Sequence, residues 1–76
     1  MAIYTFDQFR KVLKKLEFEK VRSQKHETWR KILPNGAILR VRISHQHKKD
    51  IPKWLFFEML RQAGIDEDQF NEYLKK

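Results

Sequence analysis

The spacing of apolar residues changes period along this chain, and the change restricts the folds that it can adopt. Between residues 6 and 16 the apolar positions recur every three or four residues, which indicates an amphipathic helix. From about residue 18 to residue 43 the period is two, as in β-strands, and after residue 51 helical spacing returns. This order predicts an α+β fold in which helices flank one sheet.

The first helix is predicted over about residues 6–16. Thr5 and Gln8 have the spacing of a capping box, and Tyr4 with Phe9 has that of a hydrophobic staple. The apolar stripe of this helix is Phe6, Phe9, Val12, Leu13 and Leu16, which leaves Arg10, Lys11, Lys14 and Lys15 for solvent.

Three strands are predicted, over residues 18–23, 26–33 and 37–43. The segment Pro34-Asn35-Gly36 predicts a hairpin turn between the last two, because Asn-Gly tolerates the positive φ of such turns. Arg40 and Arg42 flank Val41 and must lie on the face opposite to it. The second strand is ambiguous about its buried face, with Trp29, Lys31 and Leu33 on one side and Thr28, Arg30 and Ile32 on the other.

Two further helices complete a single domain over residues 1–76. The first is predicted to begin at residue 51 or 52, where Pro52 suits a first turn, and to end before Gly64. Asp66 and Gln69 repeat the capping arrangement and open a short helix to about Leu74. The predicted order is αβββα followed by a short C-terminal helix, around a three-stranded antiparallel sheet.

The helix after residue 51 is more apolar than one buried face requires. A complete core stripe is already formed by Phe56, Met59, Leu60 and Ala63, and Trp54, Leu55 and Phe57 widen it. One interpretation is a helix packed deeply in the core. The other is a surface for a partner or for a second copy of the chain, since exposed apolar patches usually bind something.

Basic residues are concentrated in one part of the chain, whose formal net charge is +7. Between residues 20 and 49 the only acid is Glu27. Such a block is typical of proteins that bind polyanions, although charge for solubility is an alternative. The candidate phosphate-binding residues are Arg22, Lys25, Arg30, Lys31, Arg40, Arg42, Lys48 and Lys49.

His26 lies within this basic block and is a candidate general acid–base. RNA carries its own nucleophile, the 2′-hydroxyl, and a histidine with a pKa of about 6.5 can exchange protons near neutrality. On spacing alone, a structural or incidental histidine is the alternative.

His45 and His47 suggest a metal site, but they need a further ligand, and Asp50 better suits a helix cap. We therefore expect neither a metal nor another cofactor.

Several other classes of protein lack the necessary residues. With only two glycines there is no Gly-rich phosphate loop, and with no cysteine there is no thiol nucleophile. Ser23 and Ser44 lack the context of a catalytic triad. No apolar run approaches the roughly 18 residues that span a bilayer, and the N-terminal segment has no signal-peptide core. We expect a cytoplasmic protein without a membrane partner.

The segment IPKWLFFEMLRQAGI, residues 51–65, resembles the "IPK…LRQAGI" helix of HicA-type (YcfA-like) toxins of HicAB toxin–antitoxin pairs. FEKVRSQKHETWRK is similar to the family's Arg-x-x-Gly-Ser-His segment, and LPNGAILRVRI to its hairpin. The resemblance implies a fold like that of double-stranded-RNA-binding domains. It also implies metal-independent cleavage of mRNA with His26 as the catalytic residue, and inhibition by a HicB-type antitoxin.

Two segments depart from the family pattern. Gln24-Lys25 replaces the usual Gly-Ser before the histidine, and large apolar residues stand at helix positions that are usually small or polar. The interpretation is a HicA-like ribonuclease toxin. The alternatives are a non-catalytic RNA-binding module of the same fold and a protein-interaction module. The helix after residue 51 is the candidate surface for a homodimer.

Overall fold

The structure is a computed structural model that describes residues 3–21, 26–44 and 50–76. The predicted αβββα order with a C-terminal helix is confirmed. The elements are α1 (Phe6–Lys15), β1 (Glu19–Val21), β2 (His26–Ile32), β3 (Ile38–Ser44), α2 (Lys53–Ala63) and α3 (Glu67–Lys75).

Side chains close the helix ends as the spacing predicted. At α1 the Thr5 hydroxyl accepts a hydrogen bond from the Gln8 N–H at 3.2 Å, and Gln8 Oε1 accepts one from the Thr5 N–H at 2.8 Å. Asp66 and Gln69 make the same reciprocal pair at α3. Gly64 ends α2 with a φ of 74°, the left-handed conformation that favours glycine.

The start of α2 differs from the prediction. Its N-cap is Pro52, with no side-chain hydrogen bond, so the expectation that Asp50 caps this helix was wrong. Asp50 instead forms an isolated β-bridge with Thr5, and the Ile51 N–H donates to the Tyr4 carbonyl at 2.7 Å. Backbone pairing with the start of α1 therefore holds this segment.

The three strands form one antiparallel sheet in the order β1-β2-β3. At the predicted turn the Leu33 N–H donates to the Ala37 carbonyl at 2.8 Å, and Gly36 has a φ of 89°. In the β2–β3 register Trp29 lies opposite Val41, and Arg30 lies opposite Arg40. Directly opposed residues of an antiparallel pair share a face, so this register decides which side chains meet.

The core lies on one face of the sheet, where Trp29, Val41 and Ile43 are buried. α2 packs on β3, and α1 packs on α3. Phe9, Phe56 and Phe70 form the centre of an aromatic cluster in which the rings of Phe9 and Phe70 are 5.1 Å apart. The ambiguity in β2 is thus resolved in favour of the face that carries Trp29.

Arg10 is an exception to the predicted pattern of α1. It was expected in solvent with the lysines of that helix, but only 9% of it is exposed. The prediction was wrong because helical spacing cannot reveal that Glu27, a buried acid on β2, binds this guanidinium.

None of the helices in the described ranges has the length and apolar character needed to cross a membrane.

Candidate nucleic-acid interface

His26 and three arginines lie on the sheet face opposite to the core. On β2 the residues alternate, so His26, Thr28 and Arg30 face away from the buried Glu27 and Trp29. We call this surface the open face. Its members on β2 and β3 are His26, Thr28, Arg30, Ile32, Ile38, Arg40 and Arg42.

The strand register groups the positive charges of the open face. Arg30 lies directly opposite Arg40, and Thr28 lies opposite Arg42. Directly opposed side chains are about 5 Å apart at Cβ, and same-face neighbours along a strand are about 7 Å apart. Opposed like charges destabilise a sheet, so an anion bound between these arginines would relieve an unfavourable contact.

A nearby carboxylate partly neutralises the charge of Arg30, whereas the charges of the two arginines on β3 have no such partner among the described residues. The Arg30 Nε lies 3.6 Å from Glu19 Oε2 on β1, and both side chains are solvent-exposed. Within the described part of the chain, neither Arg40 nor Arg42 forms a salt bridge. β3 therefore contributes the charges that are most available to a polyanion.

Two grooves adjoin on this side of the molecule. The larger, which we call the arginine groove, has a volume of about 480 Å³ and is lined by Val21, Thr28, Arg30, Arg40, Arg42 and Gln62. The second, the histidine groove, has about 330 Å³ and is lined by His26, Arg42, Ile43, Leu55, Met59 and Gln62. Because Arg42 and Gln62 line both, one ligand could occupy both grooves.

Beneath the open face, a buried ion pair joins β2 to α1. Arg10 Nη2 lies 2.7 Å from Glu27 Oε2, and its Nε donates to both carboxylate oxygens at 3.1 and 3.0 Å. The Trp29 indole N–H donates to Glu27 Oε1 at 3.3 Å, and Lys20 Nζ lies 3.6 Å from the same oxygen. Asp7 Oδ1 accepts from Arg10 Nη1 at 2.8 Å. The carboxylate next in sequence to His26 is therefore fixed from several sides.

These contacts control the ionisation of Glu27. Burial, the largest single effect, would raise the pKa of this carboxyl, but the hydrogen bonds and charge of Arg10 outweigh it together with Lys20 and Trp29. The net effect lowers the pKa of Glu27 below its ordinary value. One feature of the sequence indicates this role, because Glu27 shares the strand parity of Trp29 and is the only acid in the basic block.

The remaining predicted phosphate-binding residues do not all join the open face. Lys31 has the parity of Trp29, so it lies on the other face, where its Nζ is 6.0 Å from the centre of the Phe18 ring. Arg22, Lys25, Lys48 and Lys49 lie outside the described residues. Of the eight candidates, those that the structure brings together are Arg30, Arg40 and Arg42.

The three large apolar residues predicted as a partner surface on α2 lie on two sides of that helix. Trp54 and Phe57 are 72% and 43% exposed. Leu55 is half-buried, packs against the core and lines the histidine groove. The helical repeat explains this difference, since Leu55, Met59 and Gln62 follow i, i+4, i+7 spacing along the side that contacts β3.

The structure does not test the metal-site interpretation, because His45 and His47 lie outside the described residues. Within the described ranges, no three His, Cys, Asp or Glu side chains are grouped closely enough to hold a metal ion.

The family model described as the HicA toxin of bacterial toxin–antitoxin systems matches residues 6–65. The match covers α1, the whole sheet and α2, which together carry the open face and both grooves. The chain therefore belongs to the HicA toxin family. It is the toxin of a toxin–antitoxin pair, and membership implies an antitoxin partner. No curated protein and no solved structure matches the chain.

Proposed function

We propose that this toxin cleaves mRNA, with His26 as the general acid–base and the open face as the RNA-binding surface. The observation that supports the proposal best is the shared groove of His26 and Arg42, next to the arginine groove. A proton-transfer group beside cations is the arrangement that phosphodiester cleavage needs. The double-stranded-RNA-binding-domain type of fold belongs to this proposal, as does a cytoplasmic site of action.

The reaction uses the substrate's own 2′-hydroxyl. His26 takes the proton of that hydroxyl while its oxygen forms a bond to the adjacent phosphorus. The bond from phosphorus to the 5′-oxygen of the next nucleotide then breaks, and the imidazolium returns a proton to that oxygen. The products are a 2′,3′-cyclic phosphate and a 5′-hydroxyl, so protons and bonds balance without a further reactant.

The arginines bind the RNA backbone and stabilise the charge on the reacting phosphate. Arg42 is the candidate for the reacting phosphate, because it lines the same groove as His26. Arg40 and Arg30 would hold phosphates farther along the open face, which positions the strand without reading its sequence. The RNA-binding surface would be extended by Arg22, Lys25, Lys48 and Lys49. Lys31 would contribute positive charge only from the other face of the sheet.

The test is cleavage of a single-stranded RNA in the presence of EDTA by the wild-type chain and by His26→Ala and His26→Gln. Gln retains hydrogen-bonding capacity but cannot exchange a proton at neutral pH. We expect both variants to lose at least a hundredfold in kcat, with KM changed less than threefold, because general acid–base catalysis contributes about 10² to 10⁴ in rate. Lys11→Ala, an exposed basic residue on α1, is the control and should cleave normally.

Survival of cleavage in His26→Gln would refute the assignment of His26. Intact RNA with the wild-type chain, together with a salt-dependent complex, would instead identify a non-catalytic RNA-binding module. In that case the first variant to make would restore Gly-Ser in place of Gln24-Lys25.

We also propose a partner-binding surface on α2, formed by Trp54 and Phe57 with Leu55 at its margin. The support is the exposure of two aromatic residues on adjacent turns, since aromatic residues are enriched in protein interfaces. The antitoxin is the first candidate partner, and a second copy of the chain is the alternative. Light scattering of the free protein, compared with Trp54→Glu and with Trp54→Phe as the matched control, distinguishes them. A dimer that only Trp54→Glu dissociates identifies self-association.

A further inference from the structure

The histidine groove contains more apolar surface than phosphate binding requires. Half-buried Leu55 supplies the accessible apolar side of the groove, which the fully buried Ile43 and Met59 also line. His26, Arg42 and Gln62 supply the polar part. A phosphate gains nothing from an aliphatic surface, so a different chemical group fits here. A flat ring with polar edges matches this combination of surfaces.

Gln62 joins α2 to β3 through its carboxamide. Its Oε1 accepts a hydrogen bond from the Arg42 backbone N–H at 3.3 Å. A carboxamide has two donor hydrogens and two acceptor lone pairs. Gln62 can therefore offer both a donor and an acceptor to a ligand.

We propose that the histidine groove binds one unpaired nucleobase of the RNA, next to the phosphate that is cleaved, and that Gln62 reads the edge of this base. The inference rests on the proposed RNA-binding function and adds base selectivity to it. Leu55 contacts the face of the base, and a donor and an acceptor of Gln62 pair with adjacent groups on its edge. Sequence-specific RNA recognition generally targets such unstacked bases in single strands.

The size and position of the groove agree with this occupant. A volume of about 330 Å³ lies at the lower end of the range for ligand sites, about 300 to 1,000 Å³, which suits one nucleotide. The groove adjoins the arginine groove, with which it shares Arg42 and Gln62. A strand whose phosphates follow the open face can therefore place one base in the histidine groove while its neighbours remain in solvent.

The experiment measures binding and not cleavage, so that it is independent of catalysis. Short 2′-O-methyl oligoribonucleotides lack the nucleophilic hydroxyl and remain intact. A set that differs only in the base at one position is titrated against the wild-type chain by fluorescence anisotropy. We expect at least fivefold discrimination among the four bases at one position of the oligonucleotide. In Gln62→Ala this discrimination should fall below twofold, while the salt dependence of binding stays unchanged.

Two further variants preserve the test if Gln62→Ala unfolds. Gln62→Glu keeps an acceptor for the Arg42 N–H but loses the donor, so it should change which base is preferred. Lys11→Ala lies outside the groove and should retain the discrimination of the wild-type chain. Circular dichroism melting of each variant establishes that it is folded.

The outcomes separate this inference from the proposed function. Binding without discrimination in the wild-type chain, or discrimination that survives in both Gln62 variants, would overturn the base-binding groove alone. Discrimination that depends on Gln62 supports the groove even when natural RNA is not cleaved, a result that would overturn only the nuclease proposal. Failure to bind any oligonucleotide would overturn RNA binding and the groove with it.

Discussion

Arg10 of α1 and Glu27 of β2 form a buried ion pair, 2.7 Å apart at their closest atoms, on the strand that carries His26. Glu27 is 3% exposed and Arg10 is 9% exposed, so neither charge is well solvated. The pair joins the first helix to the centre of the sheet. Because Glu27 directly follows His26, it also fixes the backbone of the candidate catalytic position.

Removal of one partner of this pair should be costly. Glu27→Ala removes the buried carboxylate that pairs with the Arg10 guanidinium, and loss of one partner of a buried ion pair typically costs about 3 to 5 kcal/mol. That is a large part of the total stability of roughly 5 to 15 kcal/mol expected for a small domain. Urea unfolding measures the loss. Glu19→Ala, on the exposed edge strand, should cost below about 1 kcal/mol, and equal losses in the two variants would contradict the structural role of the pair.

Replacement of both partners should be tolerated better than replacement of one. In Arg10→Met with Glu27→Leu no charge is left buried, and apolar side chains of similar volume often substitute for a buried ion pair without loss. We expect the double variant to be more stable than Glu27→Ala by about 2 kcal/mol or more. Urea unfolding of Arg10→Met, of Glu27→Leu and of the double variant gives the coupling free energy between the two side chains. Additive losses would show that the two side chains act independently.

The lowered pKa of Glu27 predicts a specific dependence of stability on pH. In the folded protein this carboxyl keeps its charge below the ordinary value of 4.5, whereas in the unfolded chain it titrates at that value. The stabilisation is therefore complete above pH 4.5 and is lost as the pH falls through the lower folded-state pKa. Wild type and Glu27→Gln should differ most near neutral pH and converge in acid. A constant difference in unfolding free energy from pH 7 to pH 3 would contradict this.

The arginines of the open face should differ from other basic residues in their effect on RNA binding. Each phosphate contact contributes about 0.7 to the slope of log K against log salt for a single strand. Arg40→Ala and Arg42→Ala should therefore weaken binding and reduce the slope by about that amount. Lys11→Ala removes the same charge from α1 and should leave the slope unchanged. Equal effects of all three would indicate attraction by net charge alone.

The ion pair between Glu19 and Arg30 predicts a variant with increased RNA affinity. Glu19 Oε2 lies 3.6 Å from the Arg30 Nε, so the carboxylate competes with phosphate for this guanidinium. Glu19→Gln removes the competing charge and should strengthen RNA binding severalfold at low salt. Glu72→Gln, an exposed acid on α3, makes the same change in net charge and is the matched control. An equal increase in both variants would exclude a local role for Glu19.

The sequence determined the elements of this protein, because their signals are local. The capping pairs of Thr5 with Gln8 and Asp66 with Gln69, the turn at Asn35-Gly36 and the end of α2 at Gly64 each depend on a few neighbouring residues. The basic block and the family resemblance also required no structure.

The tertiary structure decided which side chains share a surface. Strand parity left two possible faces for β2, and the side chain of Glu27 selected the buried one through its contacts with Arg10 and Trp29. The same choice put Arg30 beside Arg40 and Lys31 on the other face. The tertiary structure also brought Gln62 of α2 to the edge of β3, a contact across a sequence separation of 20 residues. Such partners depend on packing between distant segments, which neither period nor composition records.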